Sequence, residues 1–389
     1  MLVNNGLLWW YVWMLVAIYL ATRPKWLDRL IGLPKIYMIH GILSLLAIIL
    51  AFLHKENSPS YGLIKYTGDY AFIIFVALAA YSLIFMAGWL TSRVPLLENI
   101  KHWVENIFKH EISVWLHRLN VIATILIFIH IQLISYVVAI KPFMILFWLS
   151  SVFVFVSYLW DKLKPHSEGI QAELVRNQAI APNIWESLIQ LPENNKLRWR
   201  AGDFVFISFP QIKGMTEPHP FSIVNAPNKQ NQIRLVIRGD GDFTRQLQTL
   251  PVPSAISVKG AYGMYQTIIS DNNPRYLLLI GGGIGMVPLF SIIEANPNLQ
   301  TQLFYNIHQG QEYIYPEQLE NWKQKRSNFD FQLQIGRFKD EQVLHYLPED
   351  LSQLVVLIGG PAKMGRHWQK LMLDTGVEAS HIYYEEFSW

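Results

Sequence analysis

Four histidines stand inside long apolar stretches of this 389-residue chain: His40, His54, His117 and His130. A neutral imidazole is a common metal ligand and a common axial ligand of haem iron. Inside a hydrocarbon layer it also needs a partner, so an ionisable residue there is a functional candidate by default. Fourteen residues separate the first two histidines and thirteen the second two, which is about 20 Å along a helix axis. Two helices would thus each offer two imidazoles at matched depths in a layer about 30 Å thick. Two stacked bis-histidine b-type haems are the chemistry this spacing suggests; separate histidines that cap polar networks between helices are the alternative. At about 100° per residue, fourteen residues return nearly to one face and thirteen do not. The second helix is therefore expected to bend or carry a π-bulge, or its haems lie at different azimuths.

A second group of residues offers backbone rather than side-chain chemistry. Gly281-Gly282-Gly283-Ile284-Gly285-Met286-Val287-Pro288 follows an apolar run, Tyr276–Ile280, and precedes a helical pattern. Glycines at such a junction let backbone amides approach phosphates. A second run, Val355–Ile358, ends in Gly359-Gly360-Pro361-Ala362-Lys363-Met364. Parallel α/β sheets bind ligands at the carboxyl ends of their strands, and two such turns point to a nucleotide. Upstream lie His219-Pro220-Phe221-Ser222 and Arg238-Gly239-Asp240-Gly241-Asp242-Phe243-Thr244-Arg245. Asp242 is expected to cap a short helix over 243–250, whose first amides, with Gly241 and Thr244, would suit a pyrophosphate.

These residues need positioning elements of two kinds. Five apolar spans are expected, near 7–21, 36–53, 70–90, 112–140 and 143–160, with aromatics such as Trp9, Trp10, Tyr11, Trp13, Trp89 and Trp160 crowding their ends as they do near headgroups. Arg23, Lys25, Arg29 and Lys35, then Arg93, Lys101 and Lys109, then Lys162 and Lys164 fall on one face; Lys55, Lys65 and Lys141 fall on the other. The positive-inside rule puts the N-terminus outside and everything after residue 161 in the cytoplasm. The second and fourth spans then run parallel, so His40 pairs with His117 on the inner side and His54 with His130 on the outer. Arg118, beside an inner histidine, would pair with a haem propionate or snorkel to the interface. Residues 170–177, 203–209, 221–225, 233–238 and 255–259 read as strands of a small antiparallel barrel, and residues 275–389 alternate strand and helix.

Composition narrows the classes. There is no cysteine, which excludes disulfides, Cys-ligated iron–sulfur clusters, Cys–zinc sites and thiol catalysis. The formal net charge of +3 does not suggest nucleic acid. No basic n-region with a small-residue cleavage site precedes the first apolar run, so a cleaved signal peptide is not expected.

Over nearly its whole length the chain resembles the NADPH oxidase / ferric reductase family. The resemblance implies a multi-domain membrane protein. An all-α transmembrane haem-binding bundle (1–163) would be followed by a ferredoxin–NADP reductase-like module, with an antiparallel β-barrel FAD domain (164–268) and an α/β parallel-sheet NAD(P)H domain (269–389). It assigns His40, His54, His117 and His130 to two haems b. His219, Pro220, Phe221 and Ser222 match the flavin-contacting signature, with the Ser222 hydroxyl near the isoalloxazine. Arg238, Gly241 and Thr244 match the positions that hold the FAD phosphates. Gly281, Gly282, Gly283, Gly285 and Pro288 match the nucleotide pyrophosphate turn, and Gly360, Pro361 and Met364 the turn near the nicotinamide. Trp389 would shield the flavin, and Glu386 is a possible contact near the nicotinamide or a solvated tail carboxylate. Arg337 resembles the family's arginine on the 2′-phosphate, which favours NADPH with NADH possible; His308 stands where many members carry another arginine, and Glu312 comes too late to bind a ribose diol at the strand end.

The chain also departs from the family. Gly359 replaces a usual Cys, the terminal aromatic is Trp rather than Phe or Tyr, five spans are read where many members have six, and no EF-hand region supports calcium regulation. The activity that the resemblance implies is transfer of electrons from cytoplasmic NADPH through FAD and two haems to an acceptor beyond the lipid bilayer. The loop 54–69, with Lys55, Glu56, Lys65 and Asp69, shows no metal-capture cluster, which favours oxygen, giving superoxide, over a ferric chelate. An external redox protein that accepts the electrons is a further reading. The absence of glycosylation sequons on the outer face is compatible with a bacterial inner (plasma) membrane.

Overall fold

The computed structural model describes residues 9–85, 116–163, 169–195 and 197–385. They group into two compact units, one of apolar helices and one that joins Asp28–Gly32 to the residues from Gly169 onward.

The helical unit contains α1 (Trp9–Leu20), α2 (Lys25–Ile31, whose last residues belong to the other unit), α3 (Leu33–Asn57), α4 (Gly62–Phe85), α5 (Leu119–Gln132), α6 (Ser135–Val138) and α7 (Lys141–Leu163). Gly32, at φ +84°, ends α2 in the left-handed conformation, and Pro34 then sits in the first turn of α3, where its missing N–H costs nothing. Three helices, Leu33–Asn57, Gly62–Ser82 and Lys141–Leu163, are long and apolar enough to cross a membrane. Trp10–Leu20 and Leu119–Gln132 are apolar but shorter. The expected continuous span 112–140 is broken: Ile134 is extended (φ −93°, ψ 97°) and separates α5 from α6. Between His117 and His130 the chain shows no π-bulge: Arg118 is a turn residue with helical dihedrals (φ −63°, ψ −18°) between the helical pair Leu116–His117 and α5, which runs unbroken to Gln132. The expected loop 54–69 is mostly helical, since α3 runs on to Asn57 and α4 begins at Gly62; Lys55 and Asp69 pair across it at 3.1 Å. The basic loop 91–111 lies outside the described residues.

Packing in this unit uses small residues. Ala47, Ala51, Ala71 and Ala123 are buried where α4 runs along α5 and α1 along α3, as expected where helices meet without a hydrophobic drive from water. Large side chains face outward instead: Ile145, Leu146, Leu149, Phe153 and Trp160 of α7 are all exposed. A surface this apolar suits lipid rather than water. Trp10 and Tyr11, expected near headgroups, are buried inside the bundle.

The second unit has two lobes. In the first, β1 (Ile170–Ala181), β2 (Ile184–Gln190), β3 (Phe204–Ser208), β4 (His219–Ser222), β5 (Gln232–Arg238) and β6 (Ser254–Tyr262) pair in the order β4-β3-β6-β1-β2-β5. All pairings are antiparallel, and the bridge Ile223–Leu235 joins the two edges into a barrel. Alternation does not reveal strand β2, because Glu186 is buried on the outer face of the barrel, the face that Ile184 and Val236 turn to the second lobe; it is 3 % exposed and is neutralised by Arg176 at 2.7 Å and Arg234 at 3.7 Å. The helix α8 (Asp242–Leu247) drops Phe243 and Leu247 into the barrel core.

The second lobe is a five-stranded parallel sheet, β11-β10-β7-β8-β9, built from β7 (Tyr276–Gly282), β8 (Gln300–Ile307), β9 (Phe329–Ile335), β10 (Leu354–Gly359) and β11 (Ile382–Tyr384). Helices α9 (Tyr265–Asn272), α10 (Val287–Ala295), α11 (Pro316–Lys325), α12 (Asp340–Leu344) and α13 (Ala362–Asp374) connect and cover it. The barrel followed by a parallel sheet is the expected ferredoxin–NADP reductase-like arrangement. One core joins the lobes, since Ile184, Val224 and Val236 of the barrel pack with Leu277, Met286 and Ile292. Polar bonds add to it: the Gly202 N–H donates to Ser291 Oγ at 2.7 Å, and the Tyr315 hydroxyl to Glu186.

Candidate functional site

Strand order fixes where the glycine turns lie. After β7 the chain moves outward to β8 and β9, then returns to β10 on the other side, so the sheet's switch point lies between β7 and β10. Gly281 pairs with Gly359 there, and both turns leave from this one crevice, the position at which open parallel sheets bind ligands. They interlock through missing side chains. A Cβ on Gly285 would stand 2.3 Å from the Gly360 backbone, and one on Gly359 would stand 2.2 Å from Gly285 O. Gly283 and Gly360 have positive φ, +53° and +154°. Met364 closes over Gly282 and Gly360, and Pro288, buried in the first turn of α10, starts that helix. Pro361 precedes α13 as its N-cap residue.

The barrel residues converge on the neighbouring side. His219 lies 4.2 Å, ring to ring, from Phe243, and Phe221 stacks on the same ring at 5.9 Å. Pro220 and Ser222 pair with Phe206 and Phe204 across β3, and all four residues of His219–Ser222 are half-buried. Arg238 is held by Asp240 at 2.6 Å and lines one small cleft with Gly283, Ile284, Tyr305, Gln311 and Glu312. The expected cap is corrected: Gly241, not Asp242, is the N-cap of α8, because the Thr244 hydroxyl turns back to accept the Gly241 N–H at 2.9 Å. Asp242 is thereby left exposed, where it pairs with Arg245. Arg337 is exposed just past β9. Glu386 and Trp389 lie outside the described residues.

The last described strand is tied to the second turn. The Tyr384 hydroxyl donates to Gly360 O at 3.2 Å, and the Tyr265 hydroxyl, edge-on to Tyr383, donates to Ile358 O at 2.7 Å. Glu385 comes next, 1 % exposed, and takes a bond from the Tyr383 hydroxyl at 3.1 Å. Burial, with Asp28 and Asp203 nearby, holds its carboxyl well above 4.5. Arg29 meets Asp203 through two bonds of 2.8 Å and Gly263 O through a third. Burial raises the Asp203 carboxyl even so. Nothing in the sequence marks this cluster, whose members come from four separate segments.

In the helical unit the expected histidine pairs meet. His40 and His117 have ring centroids 5.8 Å apart, and His54 and His130 6.4 Å apart. Every Nδ1 has an oxygen partner: Ala17 O for His40 at 2.8 Å, Ser58 Oγ for His54 at 3.2 Å, Ser82 Oγ for His117 at 2.8 Å and Ile64 O for His130 at 2.8 Å. A carbonyl can only accept, so His40 and His130, one in each pair, carry the proton on Nδ1 and keep a bare lone pair on Nε2. Anchoring the far nitrogen in this way is the usual support of a ligating histidine. A metal bound to one nitrogen of each ring at about 2 Å requires centroids about 6 Å apart. Among the described residues no three His, Cys, Asp or Glu side chains gather into a metal site; each histidine pair brings two imidazoles together. Gly68 makes the approach possible, since a Cβ there would stand 3.2 Å from the His130 ring. Of these anchors only Ser58, four residues after His54, is legible as a helical neighbour.

Residues 180–282 match a family described as an FAD-binding domain. NADH-cytochrome b5 reductase 2-A of Vanderwaltozyma polyspora is 30% identical over 137 residues, 33% of this chain and 45% of its own. The electron transfer subunit of dihydroorotate dehydrogenase B (NAD(+)) from Bacillus cereus is 29% identical over 121 residues, 31% of this chain and 46% of its own. The chain thus spans about half the length of the curated relatives it matches. Among solved structures, the CS-b5R domains of human Ncb5or in the NAD+ form align with a TM-score of 0.49 at 20% identity, over 55% of this chain and 68% of that one. Phthalate dioxygenase reductase aligns at 0.47 and 15%, over 56% and 67%.

Proposed function

We propose that the protein carries electrons from NADPH through FAD and two b-type haems across a lipid bilayer to an acceptor on the far side, chiefly oxygen, which leaves as superoxide. The observation that carries this reading is the pair of imidazole pairs. Each is spaced for one shared metal and anchored at Nδ1, and they share a chain with an FAD-binding domain and three membrane-length apolar helices. FAD and haem, when bound, supply the redox chemistry; the chain supplies position, electrostatics and exclusion of water.

The residues divide that work. His40 with His117, and His54 with His130, hold the metals, while Ala17 O, Ser58, Ser82 and Ile64 O fix the rings. Arg238, Gly241 and Thr244 would hold the FAD phosphates, and the half-buried His219–Ser222 strand would contact the isoalloxazine. The interlocked turns at Gly281–Gly285 and Gly359–Gly360 admit the nicotinamide nucleotide to backbone amides. Arg337, exposed beyond β9, is the contact for a 2′-phosphate; Glu386 and Trp389 are assigned to the nicotinamide and the flavin on the family resemblance alone.

One finding favours a second reading: a relative is named an electron transfer subunit, which fits a chain that hands electrons to an external redox protein. The purified protein, supplied with haem, FAD and NADPH, is assayed for cytochrome c reduction with and without superoxide dismutase. Abolition by the dismutase is the expected result. Persistent reduction would move a ferric chelate or a protein acceptor ahead, and absence of bound haem would end the transmembrane reading.

A further inference from the structure

We propose that the indole N–H of Trp10 is a hydrogen-bond donor of the His54–His130 site, directed to a carboxylate of the haem that this pair would hold. The inference rests on the haem reading of the proposed function. Trp10 is 4 % exposed, and its ring lies along that of His54, with centroids 6.3 Å apart and planes 28° from parallel. Its Nε1 is buried and has no hydrogen-bond partner among the described residues.

Among the described residues of the helical unit, Gln132 Nε2, two residues past His130, is the other buried donor without a partner; the remaining polar groups around Trp10 are satisfied. The next residue, Tyr11, places its hydroxyl 3.0 Å from Ser151 Oγ, and all four imidazoles have Nδ1 bonded. A buried donor in an apolar layer has no water to turn to, and such a group in a native fold calls for an acceptor outside the chain. Packing alone would be served as well by phenylalanine. The indole can only donate, and His54 Nδ1 beside it already meets Ser58. A haem brings two carboxylates, anionic acceptors that need donors when drawn into low dielectric. Oxygen in transit is the other acceptor at hand; it is absent under argon, where a haem carboxylate is not.

The test is an anaerobic spectroelectrochemical titration of the full-length, haem-loaded protein, comparing Trp10→Phe with the parent. One of the two haem steps is expected to move to more negative potential, because a carboxylate without its donor favours ferric iron, while the other step stays. The same haem should pass to apomyoglobin about tenfold faster, as loss of one charge-assisted bond implies. In a His54→Ala background, which lacks that haem, Trp10→Phe should leave the potential and transfer rate of the remaining haem unchanged. If Trp10→Phe does not fold, benzothienylalanine at position 10 keeps the ring shape and removes only the N–H. Unchanged potentials and transfer rates under argon overturn the proposal, and an effect confined to oxygenated samples overturns it in favour of bound oxygen. A parent protein that binds no haem removes the reading beneath it, an outcome visible before any variant is made.

Discussion

In the helical unit the candidate site is made of side chains, four imidazoles that hold their orientation through oxygens on other turns and other helices. In the second unit it is made of backbone, two glycine turns that approach so closely that no Cβ fits between them. Under the proposed function the difference comes from what each would hold. A metal needs a lone pair at a defined point, which only a side chain supplies. A pyrophosphate needs several N–H groups on a concave surface, which a turn supplies once its side chains are gone. The two designs fail differently. Removing one imidazole should empty one metal position and leave the fold; adding one methyl to a glycine turn should disturb a whole crevice.

The sharpest way to break this contrast is to exchange the damage. Replacing His54 or His130 with Ala should remove one haem of two and abolish electron exit, while NADPH still reduces the flavin at near-parental rate. Pyridine haemochrome quantification and stopped-flow flavin bleaching measure the two halves separately, and unchanged haem content in both variants would sink the assignment. Gly285→Ala should do the reverse. Its Cβ would meet backbone at 2.3 Å rather than a yielding side chain, a misfit of the kind that costs about 1–3 kcal/mol and displaces atoms that must bind. Flavin reduction by NADPH should fall about a hundredfold, with haem content unmoved. Equal loss of haem in Gly285→Ala would mean that the two sites do not fail independently.

The contrast also explains which parts are legible in the sequence. Glycine turns at strand ends carry their own local signal, and both fall where expected. Histidine spacing predicts the pairing, because helix rise converts residue number to depth. Apart from Ser58, the anchors cannot be read: Ala17 O and Ile64 O are backbone groups of other helices, and no residue type announces a carbonyl. Strand β2 is hidden because Glu186 breaks the alternation, and only Arg176, Arg234 and Tyr315, from three separate elements, make its burial tolerable. The departure at Gly359 acquires a reason as well. A side chain there would strike Gly285 O, so a cysteine would need the two turns farther apart than they are.

A smaller effect tests whether the end of the second unit is as rigid as the turn it touches. Glu385 is buried, and its folded-state pKa stands well above 4.5. Its neutral form is therefore the one that fits the fold. The stability it contributes is complete below the ordinary carboxylate range and is lost as pH rises through the raised folded value. Glu385→Gln keeps the size and removes the titration, so it should flatten the dependence of Tm on pH and raise Tm by a few degrees, about 1 kcal/mol, on the alkaline side. Tyr383, which donates to Glu385 Oε1, can donate equally to the amide oxygen, so the substitution need not strand that hydroxyl. Thermal melts across the pH range decide it. Parallel curves for the parent and Glu385→Gln would mean that the carboxyl is ionised in the fold, with Arg29, already shared with Asp203, neutralising both.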